Sequence, residues 1–279
     1  MKIIRLVPLA LLALTACTGS TTSERPVLTA SVPQIAALVN EIAGPGYEVV
    51  SVTEGGADPE SFEPTPSVMA KMARAKAFFT TGTLPFEHSL AASLPAGAYE
   101  VDLSRNLQLI SGTHEDTTLT DPHIWASHRN LEAMSEVIAD WLEQALPDSA
   151  EAYRSRAEAY RLRCSAAAAT ADSLLAAAGR PAFGVWHPSL SYFARDYGLR
   201  QVSVGAEHRE MSPRRMRAAI DTLRSASVRI LFYDHPGQSG AAGIAADAGA
   251  DAVLLEGAPA DYASYLVDIA RIIANGTLR

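Results

Sequence analysis

Short apolar runs alternate with amphipathic runs along most of the chain. Residues 27–32 read as a strand and 33–43 as a helix closed by Gly44-Pro45-Gly46; residues 47–52 form a second strand, followed by a Gly/Pro-rich loop through Pro64. Pro66 opens a helix expected to reach Ala75. It is followed by a strand over 77–81, a helix over 85–94 and a strand over 99–103. Strands separated by helical stretches predict βαβ units and a parallel sheet.

Residues 104–122 form a polar connection. From Ser127 on, Leu131, Met134, Ile138, Trp141, Leu142 and Leu146 recur at helical spacing, and Pro147 ends that face. Asp148-Ser149 can cap a second helix over 150–178, stopped by Gly179 and about 40 Å long. Alternation then resumes with strands over 182–186, 200–204, 228–233 and 252–255, and helices over 192–197, 213–225, 239–248 and 261–274. The expected class is α/β: two lobes of parallel sheet flanked by helices and joined by a long rigid helix. The expected divisions are 1–16 signal peptide, 17–25 lipidated cysteine and flexible tether, 26–126 first lobe, 127–179 connecting helices and 180–279 second lobe. The two lobes show no repeat in sequence.

The first residues change the cellular picture. Met1-Lys2-Ile3-Ile4-Arg5, an apolar run over 6–14 and Leu14-Thr15-Ala16-Cys17 follow the order of a secretory signal, with an apolar run too short to span a bilayer. Leu-Thr-Ala-Cys also resembles a bacterial lipobox, which makes Cys17 the expected lipid attachment point; a plain signal peptide is the alternative. The polar stretch 18–25 reads as a tether. Lipidation of Cys17 leaves Cys164 without an intramolecular disulfide partner, and its alanine-rich helical setting suggests an inert buried thiol. The net charge of -8, with only three lysines, at positions 2, 71 and 76, argues against a nucleic-acid partner.

In open parallel sheets ligands collect beyond the carboxyl ends of the strands. Polar side chains expected there are Glu54 and Glu60 after the second strand, His187 after 182–186, Asp234 and His235 after 228–233, and Glu256 after 252–255, while His123 precedes the connecting helices. His123 and His187 each stand beside a proline, in Asp121-Pro122-His123-Ile124-Trp125 and Trp186-His187-Pro188. A fixed φ and a missing N–H help hold an irregular turn that aims an imidazole inward.

These two segments, the run Tyr192-Phe193-Ala194-Arg195-Asp196-Tyr197-Gly198-Leu199, and Asp58-Pro59-Glu60-Ser61-Phe62-Glu63-Pro64-Thr65-Pro66 together resemble the zinc/manganese substrate-binding lipoproteins of ABC importers, the cluster A-I or ZnuA-like family, over nearly the whole mature chain. The resemblance implies metal held in a cleft between lobes. His123 matches the family's Asp-Pro-His-x-Trp motif, His187 its third ligand position, and Glu256, more loosely, a late acidic ligand. The first motif departs from the pattern, with Pro59-Glu60 standing where the family has Pro-His. A carboxylate can still ligate zinc, but oxygen ligands also suit manganese.

The expected metal set is therefore His123, His187, Glu60 and Glu256, for Zn2+ with Mn2+ as the alternative. Asp234 and His235 are weaker candidates for an extra ligand or a supporting hydrogen bond. His88, His114, His128 and His208 read as surface or helix-face residues, and Ser111-Gly112-Thr113-His114-Glu115-Asp116-Thr117 keeps one histidine where zinc-binding relatives often carry a histidine-rich loop. Trp125, Trp186 and Tyr192 read as core or cleft-wall aromatics. The implied function is non-catalytic: a monomeric receptor on the periplasmic or cell-surface side of a bacterium, lipid-anchored, delivering a divalent ion to an ABC permease. Two alternatives stay open. A secreted zinc metallohydrolase needs a general base that no His-Glu-x-x-His or Gly-x-Ser-x-Gly motif supplies. A receptor for a metal chelate would draw on Arg195, Arg209, Arg214 and Arg215 but leaves the histidines unexplained.

Overall fold

Two parallel sheets of identical internal order organise the described chain. The computed structural model describes residues 25–53, 57–111, 120–179, 181–205, 211–234, 238, 240–255 and 261–276. The expectations for the leader, Cys17 and the tether through residue 24 lie outside those residues. The first sheet has the order β2-β1-β3-β4, from β1 (Val27–Ala30), β2 (Glu48–Ser51), β3 (Ala75–Thr80) and β4 (Tyr99–Asp102). The second has β6-β5-β7-β8, from β5 (Phe183–Val185), β6 (Gln201–Ser203), β7 (Ile230–Tyr233) and β8 (Asp251–Leu254). Every pairing is parallel. In each sheet the order reverses beside its first strand, between β1 and β3 and between β5 and β7, which is where such sheets open a crevice for ligands. A repeat invisible in the residues is thus present in the topology.

The first lobe carries α1 (Pro33–Ala43), α2 (Pro66–Met72) and α3 (Glu87–Ala91); the connector comprises α4 (His128–Ala145) and α5 (Ala150–Ala177); the second lobe carries α6 (Ser191–Tyr197), α7 (Pro213–Ser225), α8 (Gly240–Ala248) and α9 (Tyr262–Asn275). Several helices start on side-chain caps. Thr65 Oγ1 accepts from Val68 N ahead of Pro66, Ser127 Oγ from Asn130 N, Ser212 Oγ from Arg215 N ahead of Pro213, and Asp261 from Ser264 N. The helix predicted to reach Ala75 stops at Met72 instead. Ala75 is buried and pairs with Val27, so the sheet claims it for β3. Helix α3 is likewise shorter than the 85–94 expected.

Helix α5 has 28 residues, about 42 Å of axis. Its buried stripe of Tyr153, Ala157, Tyr160, Cys164, Ala167, Ala168, Ala171 and Leu175 follows the helical period, and its small residues admit close neighbours. Helices α4 and α9 pack along it, as does α1. Arg156 donates from Nε to Ile42 O at 2.6 Å and from Nη2 to Ala43 O at 2.9 Å, closing the C-terminal carbonyls of α1. One helix therefore touches elements of both lobes. In the second sheet Phe183, Val185, Ile230 and Phe232 face the large core that includes α5, while Val202 and Leu231 face a smaller one under α7 and α8. That alternation is the two-faced burial a parallel sheet requires. Among the described residues no helix is long and apolar enough to cross a membrane.

Candidate metal centre

Three side chains from separate parts of the fold meet at one point. Glu60 lies in the loop after β2, His123 follows β4 and precedes α4, and His187 stands two residues past the end of β5. His187 Nε2 is 3.1 Å from Glu60 Oε1 and 3.3 Å from His123 Nε2, and His123 Nε2 is 3.4 Å from Glu60 Oε1. Tetrahedral ligands on zinc, at bond lengths of 2.0–2.1 Å, are separated by about 3.3–3.4 Å. The triangle therefore has the dimensions of one face of such a tetrahedron. Among the described residues it is the one group of three or more His, Cys, Asp or Glu side chains placed to hold a metal ion.

Local sequence chemistry presents two of the three candidate ligands in the same way. Asp58 Oδ1 accepts the Glu60 amide at 3.0 Å, and Asp121 Oδ1 accepts the His123 amide at 2.9 Å. Each Asp-Pro-x triplet is an Asx-type turn whose proline supplies the fixed φ. Asp58 also accepts from Ser61 Oγ at 2.5 Å, tightening its loop, and Phe62 packs edge-to-face on Phe86 of the first lobe at 5.0 Å between centroids.

Asp121 does more for its histidine. It is wholly buried, and its Oδ1 lies 2.9 Å from His123 Nδ1. Burial alone would raise the Asp121 pKa, but the hydrogen bonds and charge of His123 outweigh it and hold the carboxyl below its ordinary value. An ionised Asp121 accepts a hydrogen bond from Nδ1–H, which fixes the tautomer and leaves the Nε2 lone pair of His123 pointing to the centre. At His187 burial favours the neutral ring. Hydrogen bonding to Glu60, and the charges of Glu60, Asp234 and Asp58, overcome that and raise its pKa.

The other expected residues fall as follows. Glu54, His235 and Glu256 lie outside the described residues, as do His114, His208 and Arg209. Asp234 is exposed beyond β7, bonded to Gln238 at 2.7 Å, and is not one of the three grouped ligands; it reaches His187 through its charge. Trp125 stacks edge-on to His123, with centroids 5.2 Å apart, and Tyr192 is fully buried. His88 is exposed. His128, read as a surface or helix-face residue, is the first residue of α4, half-buried against Tyr197 and 3.4 Å from the Asp196 carboxylate, and burial lowers its pKa. Sequence reasoning assigned no role to Asp58 and Asp121; the repeated Asp-Pro-x triplet is the signal that marks them.

Residues 28–276 match the family model described as ZnuA, zinc-uptake complex component A, periplasmic. The chain belongs to that family. Its members are substrate-binding components of metal uptake, which makes this ZnuA-family chain a binding protein and removes the hydrolase alternative. The chain is 27% identical over 257 residues to a putative metal-binding protein of Chlamydia muridarum, covering 91% of this chain and 92% of that one. It is 24% identical over 243 residues to the zinc-binding protein AdcA of Streptococcus pyogenes, covering 77% of this chain and 47% of AdcA. A crystal structure of ZnuA superposes with a TM-score of 0.82 at 27% identity, over 91% of this chain and all of the other. The fold class read from the residues and the family resemblance both agree with these matches.

Proposed function

We propose that this ZnuA-family chain captures one zinc ion between its lobes through Glu60, His123 and His187 and passes it to the permease of an ABC importer. The triangle of ligand atoms 3.1–3.4 Å apart is the observation that carries this reading. A further ligand comes from Glu256, the acid that follows the strand β8 in sequence. Two imidazoles favour zinc, while the carboxylate of Glu60 leaves room for manganese as a weaker competitor. The sequence Leu14-Thr15-Ala16-Cys17 supports a lipid anchor at Cys17, which would hold a monomeric receptor at the outer face of the membrane through the tether 18–25. The functional units are the lobes 26–126 and 180–279 with the connector 127–179 between them.

Calorimetric titration of the protein from residue 18 onward with zinc and with manganese tests the proposal, beside a His123→Ala/His187→Ala double variant. Tight one-to-one zinc binding that the double variant loses is the expected result. Failure to bind either ion tightly, or zinc binding that survives both substitutions, would overturn it.

A further inference from the structure

Tyr192 sits in the first turn of α6, five residues after His187, and is fully buried. It is not part of the ligand triangle. Its hydroxyl donates to Asp121 O at 2.9 Å and accepts from Ile110 N at 3.2 Å. Asp121 N in turn donates to Ile110 O at 2.8 Å, so the phenol oxygen completes a three-way clamp where the segment after β4 returns toward His123. One turn along α6, Arg195 lays its guanidinium 5.0 Å from the centroid of the Tyr192 ring and donates from Nη1 to Gln108 O at 2.7 Å. Burial pushes the phenol pKa up to about 12, so the hydroxyl keeps the proton it donates.

The consequence lies in what Asp121 is attached to. Its carboxylate grips both the amide and Nδ1 of His123, while Tyr192 belongs to the same strand–turn–helix unit as His187. The two histidines come from segments 64 residues apart. A hydroxyl that binds the Asp121 carbonyl therefore ties one histidine's turn to the other's. Ligand geometry is useful only within about 0.5 Å, and buried backbone groups that lose a partner move to find another.

We propose that Tyr192 is a positioning residue for metal capture, its hydroxyl fixing the separation of His123 and His187 through the backbone of Asp121. The inference rests on the reading of those histidines as zinc ligands.

Tyr192→Phe removes the hydroxyl and keeps the ring. It is compared with wild type, with His187→Ala, and with Phe193→Leu, a change in a buried neighbour on α6 that makes no contact with Asp121 through a hydroxyl. Each protein is titrated with zinc against a chelator of known affinity, its Co2+ adduct is recorded by visible absorption, and its metal-free thermal midpoint is measured. Tyr192→Phe should bind zinc about tenfold or more weakly and shift the cobalt spectrum, while Phe193→Leu, at equal or greater loss of thermal midpoint, keeps the wild-type values. Wild-type zinc affinity and cobalt spectrum in Tyr192→Phe would overturn the proposal, as would the same affinity loss in Phe193→Leu. Unchanged binding in His187→Ala would overturn the ligand assignment and the tyrosine's role with it, a result separable from the others because it appears in a variant that keeps Tyr192.

Discussion

His123 Nε2 and His187 Nε2 face each other across 3.3 Å. With Nδ1–H of His123 donating to the Asp121 carboxylate, its Nε2 presents a lone pair, so the contact is favourable when His187 carries a proton on Nε2 to share between His123 and Glu60. The raised pKa of His187 fits that arrangement. A metal ion entering the triangle takes the place of this proton.

Opposite pH trends follow for the free and loaded protein. In the free protein the raised His187 pKa contributes stability that is complete below the ordinary histidine value of about 6.5 and is lost as pH rises through the higher folded value. Zinc requires the neutral ring, so affinity falls as pH drops, beginning above the ordinary histidine range. The zinc-induced rise in thermal midpoint should therefore grow between about pH 6 and pH 8. Calorimetry in buffers of different ionisation enthalpy should count a proton released on binding near pH 6; binding without proton release there would contradict the assignment.

Asp121→Ala should weaken zinc binding by about 10- to 100-fold. The carboxylate fixes both the turn, through the His123 amide, and the tautomer, through Nδ1. Asp121→Asn should recover part of the loss, because its amide oxygen can take the place of Oδ1 for both groups while the negative charge is lost. Chelator competition on the three proteins measures the order, and an Asp121→Ala protein with wild-type affinity would refute it.

The fold was legible because the inner strands β1, β3, β5 and β7 are short, largely buried apolar runs and several helices begin at a Pro or a Ser/Thr cap. Pro66, Ser127 and Ser212-Pro213 mark starts that the structure confirms. The boundary at Ala75 was not legible, since alanine suits a helix and only its partner Val27, 48 residues away, draws it into β3. The family resemblance pointed to Glu60, His123 and His187, yet their convergence depends on the lobes and the connector together. The buried contacts of His128 and of Tyr192 were hidden for the same reason. Each is decided by a residue more than 60 positions away, Asp196 for one and Asp121 for the other.

Gly205→Ala should destabilise the second lobe next to the metal centre. A Cβ on Gly205 would lie 2.5 Å from the carbonyl oxygen of Trp186 and 2.6 Å from its ring, while the Gly205 amide already donates to that carbonyl at 2.9 Å. The strand end cannot retreat without disturbing His187, the next residue. A cost of about 1–3 kcal/mol is expected, read as a lower urea midpoint, together with weaker zinc binding. An unchanged midpoint would show that the Trp186 ring and backbone yield freely.

Glu60→His tests what the carboxylate contributes to metal choice. Glu60 Oε1 sits 3.1 Å and 3.4 Å from the two imidazole nitrogens, so its oxygen occupies the ligand position that the Asp58 turn presents. An imidazole there would convert a mixed nitrogen and oxygen set into one richer in nitrogen, which suits zinc and disfavours the harder manganese ion. It would also remove the negative charge that helps keep His187 protonated above the ordinary histidine range. Zinc affinity should be kept while manganese affinity falls by about tenfold or more, a change of at least about 1.4 kcal/mol in discrimination. Competition between the two ions, followed by calorimetry on both proteins, measures that ratio directly. A ratio left unchanged would mean that Glu60 closes the site without selecting its ion, and selectivity would then rest with the two imidazoles and the shape of the cleft.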